Sequence, residues 1–203
     1  MLTRKQLWVL VALTLMWGVN WPMMKLSLRE LSPLYFRALT MTGGALWLFF
    51  FFRARGVRMW PRWSTGGGEW RSVVWLGLPN ILGWHTLSIL GVSELASGRA
   101  AVLGFTMPLW AALISWAVLG EKLGKRLLLA LALGAAAVTL LAWRSLGVYA
   151  QAPLGVALGL IAGIGWAVGT LILKRGNVGV HPLVLSGWQL LVTAVPTAVG
   201  ALW

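Results

Sequence analysis

The chain has 203 residues, of which 59% are hydrophobic and only 10% charged, and a mean hydropathy of +0.82, which excludes an ordinary water-soluble domain. It has no Cys and no Asp, and its four acidic residues are all Glu, so disulfides, thiolate nucleophiles and Cys-bound metals are excluded and carboxylate chemistry has little to draw on. The net charge of +13 invites a nucleic-acid reading, but in so apolar a chain the placement of Lys and Arg between spans decides its meaning.

A helix needs about 20 largely apolar residues to cross the hydrocarbon core of a bilayer. Seven such stretches are predicted, over residues 7–24, 34–52, 73–91, 100–119, 127–143, 154–173 and 183–203, giving an all-α, polytopic membrane bundle. In the first, Trp17, Asn20, Trp21, Pro22 and Lys25 stand where a signal peptide would carry a small-residue cleavage site, so the span stays as an anchor. Pro22 has no N–H and crowds the Gly18 carbonyl. Gly18, Asn20 and Pro22 therefore predict either a broken helix offering polar groups to a cavity or a packing kink with Asn20 bonded to a neighbouring helix. Lys25 at the end of this span and Arg37 early in the second are long enough to snorkel to the interface, while Arg37 is equally placed to meet an anionic group.

Between the second and third spans, residues 53–71 mix five Arg with Trp60, Trp63, Trp70 and the run Gly66, Gly67, Gly68. Trp favours the headgroup layer and each basic residue near an anionic leaflet contributes about 1 kcal/mol, so this reads as a membrane-hugging loop and not as a nucleic-acid site. The third span holds Pro79, Asn80 and His85. A lone intramembrane His is either a proton-linked switch or, more commonly, neutral and satisfied by an interhelical hydrogen bond. The link to the fourth span carries Glu94 and Arg99, which either pair with each other or leave Arg99 to attract an anionic or zwitterionic solute at an outer mouth. Within the fourth span Thr106, Met107 and Pro108 repeat the kink pattern, with Pro108 freeing the Gly104 carbonyl. Glu121, Lys122, Lys125 and Arg126 form a tight turn before the fifth span, and Gly155, Gly159 and Gly163 give the sixth a smooth stripe for close helix packing.

If the spans alternate, Lys25, Arg29, Arg37, Arg99 and Arg144 fall on one side and the other twelve of the 17 basic residues on the opposite side. The positive-inside bias then predicts a cytoplasmic N-terminus in a cell membrane.

Compared with itself at an offset of 149 residues, the chain aligns Trp17 with Trp166, Val19 with Val168, Lys25 with Lys174, Pro33 with Pro182, Leu34 with Leu183 and Ala45 with Ala194. Spans six and seven thus echo one and two, with Trp166 joining Trp17 as a cavity candidate. Residues 1–149 read as a first five-helix repeat and 150–203 as the start of a second. Five is odd, so the second repeat enters the membrane from the opposite face, and such a pair needs ten helices. A C-terminally incomplete sequence is the expectation, ahead of a natural seven-helix protein.

The segments Trp17-Gly18-Val19-Asn20-Trp21, Ser32-Pro33-Leu34 with Arg37, Ser97-Gly98-Arg99-Ala100-Ala101, Met107-Pro108-Leu109-Trp110 and Leu119-Gly120-Glu121-Lys122 occur in order at characteristic spacing. In these pieces the chain resembles the EamA-type branch of the drug/metabolite transporter superfamily. That resemblance implies ten helices in two inverted repeats, a central cavity, and export or exchange of small metabolites.

No Gly-x-Ser-x-Gly or His-Glu-x-x-His pattern and no His pair at metal spacing occurs, so an enzyme, a metal site and a cofactor are not expected. A non-transporting membrane scaffold or receptor subunit is the main alternative, and a membrane-embedded enzyme a weaker one. Exporters of polyaromatic cations use an intramembrane carboxylate, which the first span lacks, so amino acids or related metabolites suit the amide, Trp and Arg candidates better. The expected partners are the lipid bilayer and a small-molecule substrate, with a proton or a counter-substrate as the candidates for coupling.

Overall fold

The computed structural model describes residues 3–63, 68–175 and 181–203. Gly66 and Gly67 of the glycine run lie outside them. The elements are α1 (Arg4–Ser27), α2 (Pro33–Ala54), α3 (Gly68–Gly77), a π-helical segment (Leu78–Gly83), α4 (Trp84–Glu94), α5 (Ser97–Gly104), α6 (Met107–Leu119), α7 (Lys125–Trp143), α8 (Leu146–Gln151), α9 (Pro153–Arg175) and α10 (Pro182–Gly200). Seven helical units are long and apolar enough to cross a membrane, α3–π–α4 and α5–α6 each counting as one, and no strand occurs among the described residues. The seventh unit closes at Gly200, short of the residue-203 limit expected from hydropathy.

Local chemistry sets the boundaries. Thr3 and Gln6 form a capping box at the start of α1, and the Ser32 hydroxyl accepts from the Tyr35 N–H before Pro33 opens α2. Proline also begins α9 and α10, where its missing N–H costs nothing. Gly120, at φ +67°, stops α6 in the left-handed conformation that a side chain resists.

The prolines inside spans behave differently from one another. Pro22 sits within a helix that runs without a break from Arg4 to Ser27, so the chain does not leave helical conformation there. At Pro108 the span does break: Phe105 and Thr106 interrupt it, leaving α5 and α6 as separate segments, as the freed Gly104 carbonyl predicts. Pro79 cannot donate to the Trp75 carbonyl, and there the helix widens into the π turn. Hydropathy places Pro79 within the third span and carries no mark of this change in helical form.

α10 runs antiparallel along α2, with Leu34 against Gly200, Gly44 against Leu190 and Phe49 against Gly187. α9 lies across the other helices of the N-terminal part, touching the π segment, α4, α5 and α6. Its glycines make this possible: a Cβ on Gly155 would stand 2.7 Å from Glu94 Cβ, and one on Gly159 would stand 3.1 Å from Leu103. The starts of α1 and α9, and of α2 and α10, are both separated by 149 residues. Trp188 of α10 holds the loop after α2, donating from Nε1 to the Met59 carbonyl (2.6 Å) and contacting the rings of Phe49, Trp60 and Trp70. Arg58 pairs with Glu69 at 3.0 Å, while Trp60 and Trp63 keep most of their surface outside the bundle.

Candidate functional site: a tryptophan-lined cavity

Helical spacing puts Met16 and Asn20 on one line of α1 and Trp17 and Trp21 on the next, so four neighbouring side chains share a face. Trp84 and His85 come from the first turn of α4, directly after the π segment, and Trp166 comes from the middle of α9. These seven residues line an open-sided cavity of about 300 Å³. Its wall is largely indole: Trp21 meets Trp84 edge-on at 6.2 Å between ring centroids, and Trp84 meets Trp166 at 5.5 Å. Trp21 is 5% exposed and forms the floor, whereas Trp17 is 48% exposed and stands at the mouth. Gly104 makes room for the floor, since a Cβ there would lie 2.7 Å from the Trp21 ring.

Polar groups are few. Asn20 bonds only weakly within its own helix, to the Met24 sulfur at 3.9 Å, so its amide faces the cavity and makes no bond to a neighbouring helix among the described residues. The His85 Nδ1 is buried without a protein partner, and the interhelical bond expected of a neutral lone His is not formed there. Among the described residues no carboxylate lines the cavity.

Behind His85 lies Arg37, only 6% exposed. Its Nε donates to the His85 carbonyl at 2.9 Å, and its Nη2 reaches Ser88 Oγ at 3.3 Å and the Met24 sulfur. Arg37 thus turns into the bundle instead of snorkelling, and it pairs with no carboxylate among the described residues. Lys25 does not run free to the interface either. Its Nζ donates to the Val92 and Ser93 carbonyls at 2.8 and 3.0 Å, satisfying the end of α4 where cations are favoured.

Asn80 in the π segment positions the α9 wall. Its Nδ2 donates to the Trp166 carbonyl and to Thr170 Oγ1, both at 3.4 Å, while its side chain rests on Gly169 and the neighbouring Pro79 carbonyl rests on Gly165.

The other sequence candidates lie elsewhere. Gly18 borders a second, more open groove of about 660 Å³ with Leu13, Thr14, Trp17 and Phe105. Thr106 donates to the Leu103 carbonyl at 2.6 Å and accepts from Trp110 Nε1 at 3.0 Å, and with Met107 it packs on Gly163, so both serve the helix break. Arg99 stands at the α4–α5 junction, its carbonyl accepting from the Tyr149 hydroxyl at 3.1 Å, and it forms no ion pair with Glu94. Among the described residues no three His, Cys, Asp or Glu side chains converge as metal ligands. Met16 and Trp84 are cavity residues that sequence reading passed over. The i to i+4 relation of Met16 to Asn20 and the adjacency of Trp84 to His85 were the available signals.

At the far end of α6, Glu121 accepts from Ser115 and lies 3.8 Å from both Lys174 and Arg175, and Arg175 also donates to the Leu119 carbonyl. The Ser115 hydroxyl, then Lys174 and Arg175, hold its carboxyl below the usual carboxylate range.

The family model described as the EamA-like transporter family matches residues 4–143. Two proteins of Bacillus subtilis (strain 168) are similar: the uncharacterized transporter YvbV, 28% identical over 200 residues, and the uncharacterized transporter YoaV, 25% identical over 187. The alignments cover 96% and 92% of this chain but 62% and 63% of those proteins, so the chain spans a little under two-thirds of its relatives' length. No solved structure matches. The family match runs from α1 through α7, more than half of the chain, and this multi-pass membrane protein belongs to the EamA-like transporter family.

Proposed function

We propose that the protein is a secondary transporter that carries small metabolites such as amino acids across the cell membrane by alternating access, with its N-terminus in the cytoplasm. One observation carries this reading: Trp17 and Trp166, 149 residues apart, line the same cavity from α1 and α9. In the proposed architecture, residues 1–149 form one five-helix repeat and residues from 150 onward begin an inverted second one, so the substrate sits where the two repeats meet. Rocking one repeat against the other exposes that site to each side in turn.

The lining supports a small zwitterion. Indole faces cover its apolar part, the Asn20 amide both donates and accepts, and His85 adds a second polar contact. No carboxylate stands among the described lining residues, so this wall offers no fixed anion to hold a cationic drug. Transport is tested with the full-length protein in proteoliposomes, measuring exchange across an amino-acid and metabolite panel. At least one amino acid should exchange, and Trp17→Ala and Trp166→Ala should each slow it about tenfold, equivalent to about 1.4 kcal/mol. A well-folded protein that exchanges nothing would refute the reading.

A further inference from the structure

We infer that the groove between α6 and α7 is a binding site for one phospholipid with an anionic headgroup. The groove is about 540 Å³ in volume and lies away from the tryptophan cavity. Leu113 and Trp116 of α6 and Leu128 of α7 form its apolar walls, with Leu123 of the intervening turn, and Glu121 and Lys122 of that turn form its polar rim. Leu113, Trp116 and Leu128 are 48%, 58% and 48% exposed, and α7 contributes no buried residue, so the crevice is open along its side among the described residues.

Charge at the rim selects the headgroup. The lone acid, Glu121, is already matched by Lys174 and Arg175. Lys122 at the rim, and Lys125 and Arg126 beside it in the first turn of α7, are exposed and form no ion pair among the described residues, which leaves three cations next to the groove mouth. A phosphate-bearing anion at that level is attracted by each of these basic residues, and an acyl chain lies along the leucines below it. Trp116 suits the boundary between the two, with an apolar body and an N–H for the wet side. The inference does not depend on the transport reading.

The test is native mass spectrometry of the full-length protein released from micelles containing phosphatidylglycerol, with phosphatidylcholine as the neutral probe. The protein should retain one phosphatidylglycerol at least fivefold more often than phosphatidylcholine. K122Q/K125Q/R126Q should abolish that preference, while R53Q/R55Q, which removes two cations outside the groove, should leave it intact. Leu128→Trp, which fills the groove and keeps its charge, should reduce retention of both lipids. Equal retention of the two lipids, or equal losses in the two charge variants, would overturn the proposal in favour of general surface charge. Near-identical thermal midpoints among the variants would show that none acts by unfolding.

Discussion

Arg37 and His85 are joined across α2 and α4 by a 2.9 Å hydrogen bond from the guanidinium Nε to the main-chain carbonyl, which fixes the backbone of a cavity-lining residue from behind. A charge-assisted bond to a buried carbonyl has no water to fall back on, so removing the donor costs more than it would at a surface.

Arg37→Met keeps most of the side-chain volume and loses the donors. It should lower stability by about 1.5–3 kcal/mol, the usual range for a hydrogen bond to a charged group. Arg37→Lys should recover only part of this, because an ammonium cannot span the His85 carbonyl and Ser88 as a planar fork does. Thermal unfolding followed by tryptophan fluorescence reads both, and a Met variant as stable as the parent would contradict the structural role.

Glycines on two helices should respond in opposite ways to the same methyl group. A Cβ on Gly169 would collide with the Asn80 side chain and approach its Cα at 2.9 Å, whereas one on Gly18 meets nothing within 4 Å. Gly169→Ala should therefore destabilise by about 1–3 kcal/mol through overpacking. Gly18→Ala should be neutral or slightly stabilising, since alanine is the better helix former. Thermal midpoints of the two purified variants make the comparison.

Glu121 sets a pH dependence at the α6–α7 turn. Its carboxyl titrates below the usual 4.5, chiefly because Ser115 donates to it, so its stabilising contribution is complete above that value and fades as acid protonates it at lower pH. Neutral pH leaves the pairing with Lys174 and Arg175 intact. Ser115→Ala should move the Glu121 titration upward, and carboxyl carbon NMR shifts measure it directly. An unmoved midpoint would mean that the lysine and arginine alone set it.

The proposed orientation has its own test. Residues 1–203 contain no Cys, so a cysteine introduced among them is the sole thiol of this stretch. Arg58→Cys and Lys125→Cys should react with an impermeant thiol reagent from the cytoplasmic side, and Arg29→Cys and Arg144→Cys from the other. Labelling of Arg58→Cys and Lys125→Cys from different sides would end the seven-crossing topology.

Hydropathy made the seven spans legible because bilayer thickness dictates apolar length, and loop charge marked their ends. Proline chemistry located the break at Phe105–Thr106 but not the form of the disruption at Pro79. A missing N–H says which bond is lost and leaves open whether the helix bends, breaks or widens. The cavity was half legible. Trp17, Asn20, Trp21, His85 and Trp166 do meet there, yet Trp84 escaped notice because 15 Trp residues leave the choice to helix rotation, which an evenly apolar span does not encode. Rotation also decided Arg37. Its sequence position permits snorkelling, and only the facing Met24 and Ser88 show that it points inward.

α9 is keyed on two flats at once, Gly155 and Gly159 bearing on Glu94, Leu95 and Leu103, Gly165 and Gly169 bearing on Pro79 and Asn80. A rod seated this way cannot spin about its long axis without driving a methyl-bearing neighbour into one slot wall or the other. Torque applied at either end is therefore passed on as a tilt or an axial glide, and Trp166 travels with the shaft.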